Sequence, residues 1–95
     1  MMREKVHAVV TVTGRDRVGI VAAVSKILAD YNVNIIDISQ TILQEDIFAM
    51  MVMVDIAKAS VDLLVLEDAL KTTGESLGVK IMIQHEDIFR YMHRI

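Results

Sequence analysis

The sequence predicts an α+β fold: a four-stranded antiparallel sheet in the order β-α-β-β-α-β, with both helices on one face and a short helix appended at the C-terminus. Three observations point there. The apolar spacing switches between a period of two and a period near 3.6. Two β-rich runs in the middle of the chain are joined by three polar residues, as in an antiparallel hairpin. The 95 residues contain no linker, low-complexity tract or repeat, so they leave room for one core. The whole of 1–95 is therefore expected to form one domain, with 86–95 as a helical extension.

The elements follow in order. "KVHAVVTVT" (5–13) alternates, with Val6, Ala8, Val10 and Val12 on one face and His7, Val9, Thr11 and Thr13 on the other, which makes it the first strand. From Val18 onward Ile20, Val21, Val24, Ile27, Leu28 and Tyr31 recur at helical spacing. Asp16 is placed to cap that helix, and Asn32 to end it in a left-handed turn. "VNIIDISQTIL" (33–43) and "IFAMMVMVD" (47–55) pair through "QED". Ser60 is placed to cap a helix whose Leu63, Leu66, Leu70, Thr73 and Leu77 form a narrow stripe, and Gly78 stands where a C′ glycine belongs. "VKIMIQ" (79–84) is the fourth strand. "EDIFRYMHRI" puts Ile88, Phe89, Met92 and Ile95 near one side of a last helix and Arg90, His93 and Arg94 opposite. This is the split βαβ, ferredoxin-like arrangement.

Composition excludes several classes of function. There is no cysteine, hence no disulfide, thiolate nucleophile or soft-metal site, and no cofactor is implied. A net charge of −3 argues against nucleic acid, which demands clustered cations. No apolar run is long enough for a membrane span or a signal peptide, so the cytoplasm is the expected location. The 54% hydrophobic content is high for this length. Strand three carries Ile47, Ala49, Met51 and Met53 on one side and Phe48, Met50, Val52 and Val54 on the other, so both sheet faces want cover. The last helix, a partner subunit or both can provide it, and a homodimer is the favoured reading. The seven methionines read as adaptable core filler.

The loop "GRDRVGIV" (14–21) invites a phosphate-cradle reading, since its glycines are spaced as in G-x-x-x-x-G-K-[ST]. Ile20 and Val21 stand where that chemistry needs lysine and a hydroxyl, so the reading fails. Acylphosphatases share the element order and use an arginine here, but their Gln-Gly-Val core is missing. The loop does open a helix, whose amides and dipole suit a small carboxylate. The alternative stays open that Gly14 permits a turn, Asp16 caps, and Gly19 lets the helix lie close to the sheet.

Residues "VTGRDRVGIVAAVSKILADYNVNIIDISQTIL" resemble the ACT domain, with a "G-x-D-x-x-G-I-V" turn after strand one and "N-I-x-D-I-S-Q" opening strand two. The likeness runs on through "GVKIMIQHEDIFRYMHRI" and is strongest to short stand-alone ACT proteins. More distantly it reaches the ACT portions of the glycine-cleavage transcriptional repressor and formyltetrahydrofolate deformylase. The resemblance implies a non-enzymatic regulatory module that binds an amino acid-like ligand at a subunit interface and acts through a partner protein. It implies that Asp16, Arg17, Val18, Gly19 and Ile20 of one chain line one wall, and Asn34, Ile35 and Asp37 of another chain the opposite wall. Backbone amides at the helix start can hold a carboxylate, while Asn34 or Asp37 can accept from an ammonium. A structural or protein-interaction module without ligand is the alternative.

Other chemistry is poorly served. His7 and His85 fall on opposite faces of the sheet if the alternation holds, which disfavours a shared metal ion. No carboxylate pair or activated nucleophile can be assembled from Asp16, Asp37, Ser25 or Ser39, so no catalytic residue is assigned. Phe48 alone among the central-strand positions could stack on a base, against an RNA reading of the same element order.

Overall fold

A computed structural model of the chain describes residues 6–15 and 18–92. The elements are β1 (His7–Arg15), α1 (Ile20–Asp30), β2 (Asn34–Leu43), β3 (Ile47–Asp55), α2 (Leu63–Leu77), β4 (Val79–His85) and α3 (Glu86–Met92). A 3-10 turn at Gln44–Asp46 joins β2 to β3. The strands form an antiparallel sheet in the order β2-β3-β1-β4, the expected ferredoxin-like topology.

Alternation sorts the side chains as the sequence implies. Ala8, Val10 and Val12 are buried with Phe48, Met50, Val52 and Val54 and with Val79, Ile81 and Ile83. Ile20, Val24 and Leu28 of α1 and Leu66 and Leu70 of α2 close over that face. Full burial of one such side chain stabilises by roughly 1.5–3 kcal/mol, so this layer carries most of the fold's cohesion. Met50 belongs to it, but Met51 and Met82 are exposed, and the core-filler reading of the methionines holds only in part. Their alternation, not their flexibility, decides which way they face.

The helix ends depart from expectation in instructive ways. Helix α1 begins at Ile20, and the residue at its N-cap position is Gly19, at φ 96°. Asp16 and Arg17 lie outside the described residues. Asp62, not Ser60, caps α2, its carboxylate accepting from the Val65 N–H at 3.1 Å. Ser60 is held away because its own N–H donates to the Tyr31 carbonyl at the end of α1. Asn32 (φ 60°) and Gly78 (φ 74°) take the left-handed turns expected of them.

Two glycines serve close approach. Strand β1 runs on to Arg15, so Gly14 is a ladder residue rather than a turn; a Cβ there would sit 2.7 Å from Val79 Cγ1. A Cβ on Gly74 of α2 would sit 2.7 Å from the Val79 carbonyl oxygen and 3.0 Å from Ile81 Cγ1. Gly74→Ala should therefore lower stability by about 1–2 kcal/mol, the overpacking cost exceeding the helix-propensity gain of about 1 kcal/mol. A urea midpoint equal to or above that of the parent protein would show that α2 has room to lift.

The second sheet face is partly covered. Val9 is buried although it points away from α1 and α2, and α3 packs on β1 and β4. His7 Nδ1 lies 3.4 Å from Glu86 Oε2, tying α3 to the sheet, and within α3 Arg90 donates to the same oxygen at 3.2 Å. Phe89 is half-buried, whereas Ile88, expected beside it, is exposed because seven residues of helix bring only one flank onto the strands. Beyond α3 the face stays open as a shallow groove of about 250 Å³ floored by Thr11, Thr13, Ser39, Thr41, Ala49 and Met51.

Candidate functional site

The first candidate wall is the start of α1. Gly19 adopts φ 96°, and a Cβ built on it meets nothing within 4 Å, so the glycine is required by backbone conformation and not by helix–sheet packing. The first α1 bond runs from the Ala23 N–H to the Gly19 carbonyl. The N–H groups of Ile20, Val21 and Ala22 therefore have no partner within the helix, and Gly19 has no side chain to offer them. Among the described residues nothing caps the amides at 20–22, which lie slightly later than the sequence suggested. Val18 projects beside them and is 97% exposed. Ile20 points into the core, so only its backbone faces the loop.

The second candidate wall is the start of β2. Asn34 and Asp37 are exposed, and Asp37 accepts from the Ile38 N–H at 3.0 Å. A bulge between Ile35 and Asp37 re-aims the strand, pairing Asp37 with Met53 on the sheet face away from α1 and α2. Ile35 is half-buried against the core. Asn34 borders a cleft of about 410 Å³ lined also by Ala29, Asn32, Val33, Asp55 and Lys58. The Asn32 amide donates to the Lys58 carbonyl at 2.8 Å, and Asp55 Oδ1 accepts from the N–H groups of Val6 and Ala57. Asn32, Asp55 and Lys58 were not legible as site residues. They come from a helix end, a strand end and a loop that only the β2–β3 pairing brings together.

Within one chain the two walls stand apart. Asn34 pairs with Asp55, which pairs with His7 at one end of β1, whereas the α1 loop leaves the other end after Arg15. At about 3.3 Å per residue the separation along the sheet is on the order of 25 Å, too far for one small ligand to touch both. Strand β2 is a sheet edge, and Ile36, Ile38 and Ile42 on it are 46%, 38% and 52% exposed. Among the described residues no group of His, Cys, Asp and Glu could hold a metal ion, and no helix is long and apolar enough to cross a membrane. His7 and His85 do sit at opposite-face positions: His7 reaches α3, while His85 pairs with the core residue Ala8.

Known proteins share this arrangement. The family model for the ACT domain matches residues 7–84. A UPF0237 protein of Methanocaldococcus jannaschii is 58% identical over 94% of this chain and 98% of its own. An ACT domain protein from Streptococcus pneumoniae superposes with a TM-score of 0.78 at 41% identity, covering 90% of this chain and 96% of that one. A formyltetrahydrofolate deformylase from Pseudomonas syringae is similar over 85% of this chain but only 27% of its own, with 27% identity and a TM-score of 0.75.

Proposed function

Because this chain belongs to the ACT domain family, we propose that it is a regulatory module: two copies bind an amino acid-like zwitterion between them and signal to a partner protein. The observation that carries this reading is that the two walls lie at opposite ends of a sheet whose β2 edge is apolar and, among the described residues, unpaired. Antiparallel pairing of two such edges sets residue 34 of one protomer near residue 43 of the other. Leu43 is in register with Ile47 and Ile47 with Arg15, the last residue before the α1 loop. The start of one β2 then approaches the mouth of the partner's α1, and three exposed isoleucines per chain are covered.

In this reading Asp16, Arg17, Val18 and Gly19 form the loop, and the amides from Ile20 onward hold the carboxylate. The Asn34 carbonyl or the Asp37 carboxylate accepts from the ammonium, and Ile35 contributes backbone. The module works in the cytoplasm and carries no catalytic residue. A second reading, a dimerisation module without ligand, is favoured by one fact: the side chains of Ile20 and Ile35 face the core.

Thermal melting against a panel of amino acids separates the two. A ligand at 100 times its dissociation constant adds about 2.7 kcal/mol, roughly ten degrees or more for a domain of this size. Val18→Asp should abolish that shift, because its carboxylate competes with the ligand's for the amides at 20–22, and should leave the unliganded melt within about 0.5 kcal/mol, because the side chain at 18 touches so little of its own protomer. A panel without any shift leaves the ligand-free module. Light scattering that returns 10.7 kDa removes the dimer.

A further inference from the structure

The opposite edge of the sheet has a different character. Among the described residues strand β4 pairs with β1 on one side only, and its outer edge borders a groove of about 730 Å³ whose other wall is the flank of α2. Leu64, Glu67, Asp68, Lys71 and Glu75 line that flank. We propose that this groove docks an extended, basic segment of a partner protein, which adds to the sheet as a fifth strand beside β4.

Three features support the assignment. The register of β4 runs unbroken from Gly14–Val79 to Ala8–His85, whereas β2 is interrupted by its bulge, so β4 is the regular template for an added strand. Gly74 lets α2 lie close on Val79 and Ile81, so the helix flank and β4 line one groove. The α2 flank is also charged to match: Glu67, Asp68 and Glu75 are exposed and make no ion pair among the described residues, against Lys71 on the same helix and Lys80 on the strand side of the groove.

Spacing defines the occupant. Glu67 and Glu75 are eight residues apart on a helix, about 12 Å, close to the roughly 13 Å between strand residues n and n+4. Cations at n and n+4 therefore meet the two glutamates, and a neutral residue at n+2 lies against Lys71. Residues n+1 and n+3 face the other side, beside Met82 and Lys80, and are apolar or polar but not cationic. A second copy of this chain fits poorly: Val79, Ile81 and Ile83, which its β4 would turn toward these carboxylates, are already buried under its own α2.

The test uses an end-blocked peptide, Ser-Thr-Lys-Val-Thr-Val-Lys-Thr-Ser, titrated into the full chain and followed by amide chemical shifts. Binding should shift residues of β4 and the α2 flank and slow exchange of β4 amides. It should weaken roughly tenfold in Glu67→Gln/Glu75→Gln and for the peptide with both lysines replaced by glutamate. N-methylation of alternate peptide amides should abolish it, since an added strand depends on its backbone. No binding at millimolar peptide, equal binding of the lysine and glutamate peptides, or shifts away from β4 would overturn the proposal. So would conversion of a dimer to a monomer by the same double variant, which would give the groove to a second copy. Neither result bears on the amino acid site, whose readout is Val18.

Discussion

Leu70→Ala is expected to destabilise the protein by about 2–5 kcal/mol, the range for emptying a fully buried leucine site. Leu70 is wholly buried at the centre of α2, over the inner face of the sheet, with Leu66 one turn away. The loss should approach the upper half of that range, because strands on one side and α1 on the other limit how far the cavity can collapse. Domains of this size hold 5–15 kcal/mol in total, and each kcal/mol moves the melting temperature by about 4–8 °C. A drop of at least ten degrees in calorimetry is the expected result; a drop of two or three would mean that α2 is not what covers the sheet.

Gly14→Val is expected to cost about 3 kcal/mol through overpacking. The new Cβ would meet Val79 Cγ1 at 2.7 Å and the Val79 Cα and Cβ both at 3.0 Å, so β1 and β4 must part at their shared end. Combining it with Val79→Ala should give back only part of the loss: Cγ1 disappears while the two contacts at 3.0 Å remain. The double-mutant cycle should therefore show favourable coupling with incomplete recovery, measured as urea midpoints. Gly19 offers the contrast. Substitution there encounters open space but a φ of 96°, so its cost of roughly 1–2 kcal/mol is backbone strain that no neighbouring truncation relieves. For that reason Val18, not Gly19, is the position at which ligand binding can be removed without touching the fold.

The sequence was most legible where the cause is local. Alternation in β3 sorts Phe48, Met50, Val52 and Val54 from Ile47, Ala49, Met51 and Met53, and the burial follows that order. Asn32 and Gly78 tolerate left-handed turns that other residues resist, so they mark helix ends without reference to anything distant. Legibility failed where a distant partner decides. Two capping residues stand two apart before α2, and the bond from Ser60 to Tyr31, across the fold, leaves the role to Asp62. Gly74 looks like an ordinary interruption of a helix until Val79 and Ile81 are seen beneath it. The candidate site divides the same way. Gly19 and Asn34 carry a recognisable pattern, whereas Asp55 and Lys58 join Asn34 only through strand pairing, and Ile20 and Ile35 turn their side chains inward for the sake of the core.

The position of β1 between β3 and β4 also dictates when the molecule can form during synthesis. The first strand to leave the ribosome waits for the last one, since Ala8 pairs with His85 and Gly14 with Val79. Closing so long a loop delays the entropic return, which places folding nearer milliseconds to seconds than microseconds. Until then the nascent chain carries a bare, valine-rich edge, the kind of surface on which chaperones act.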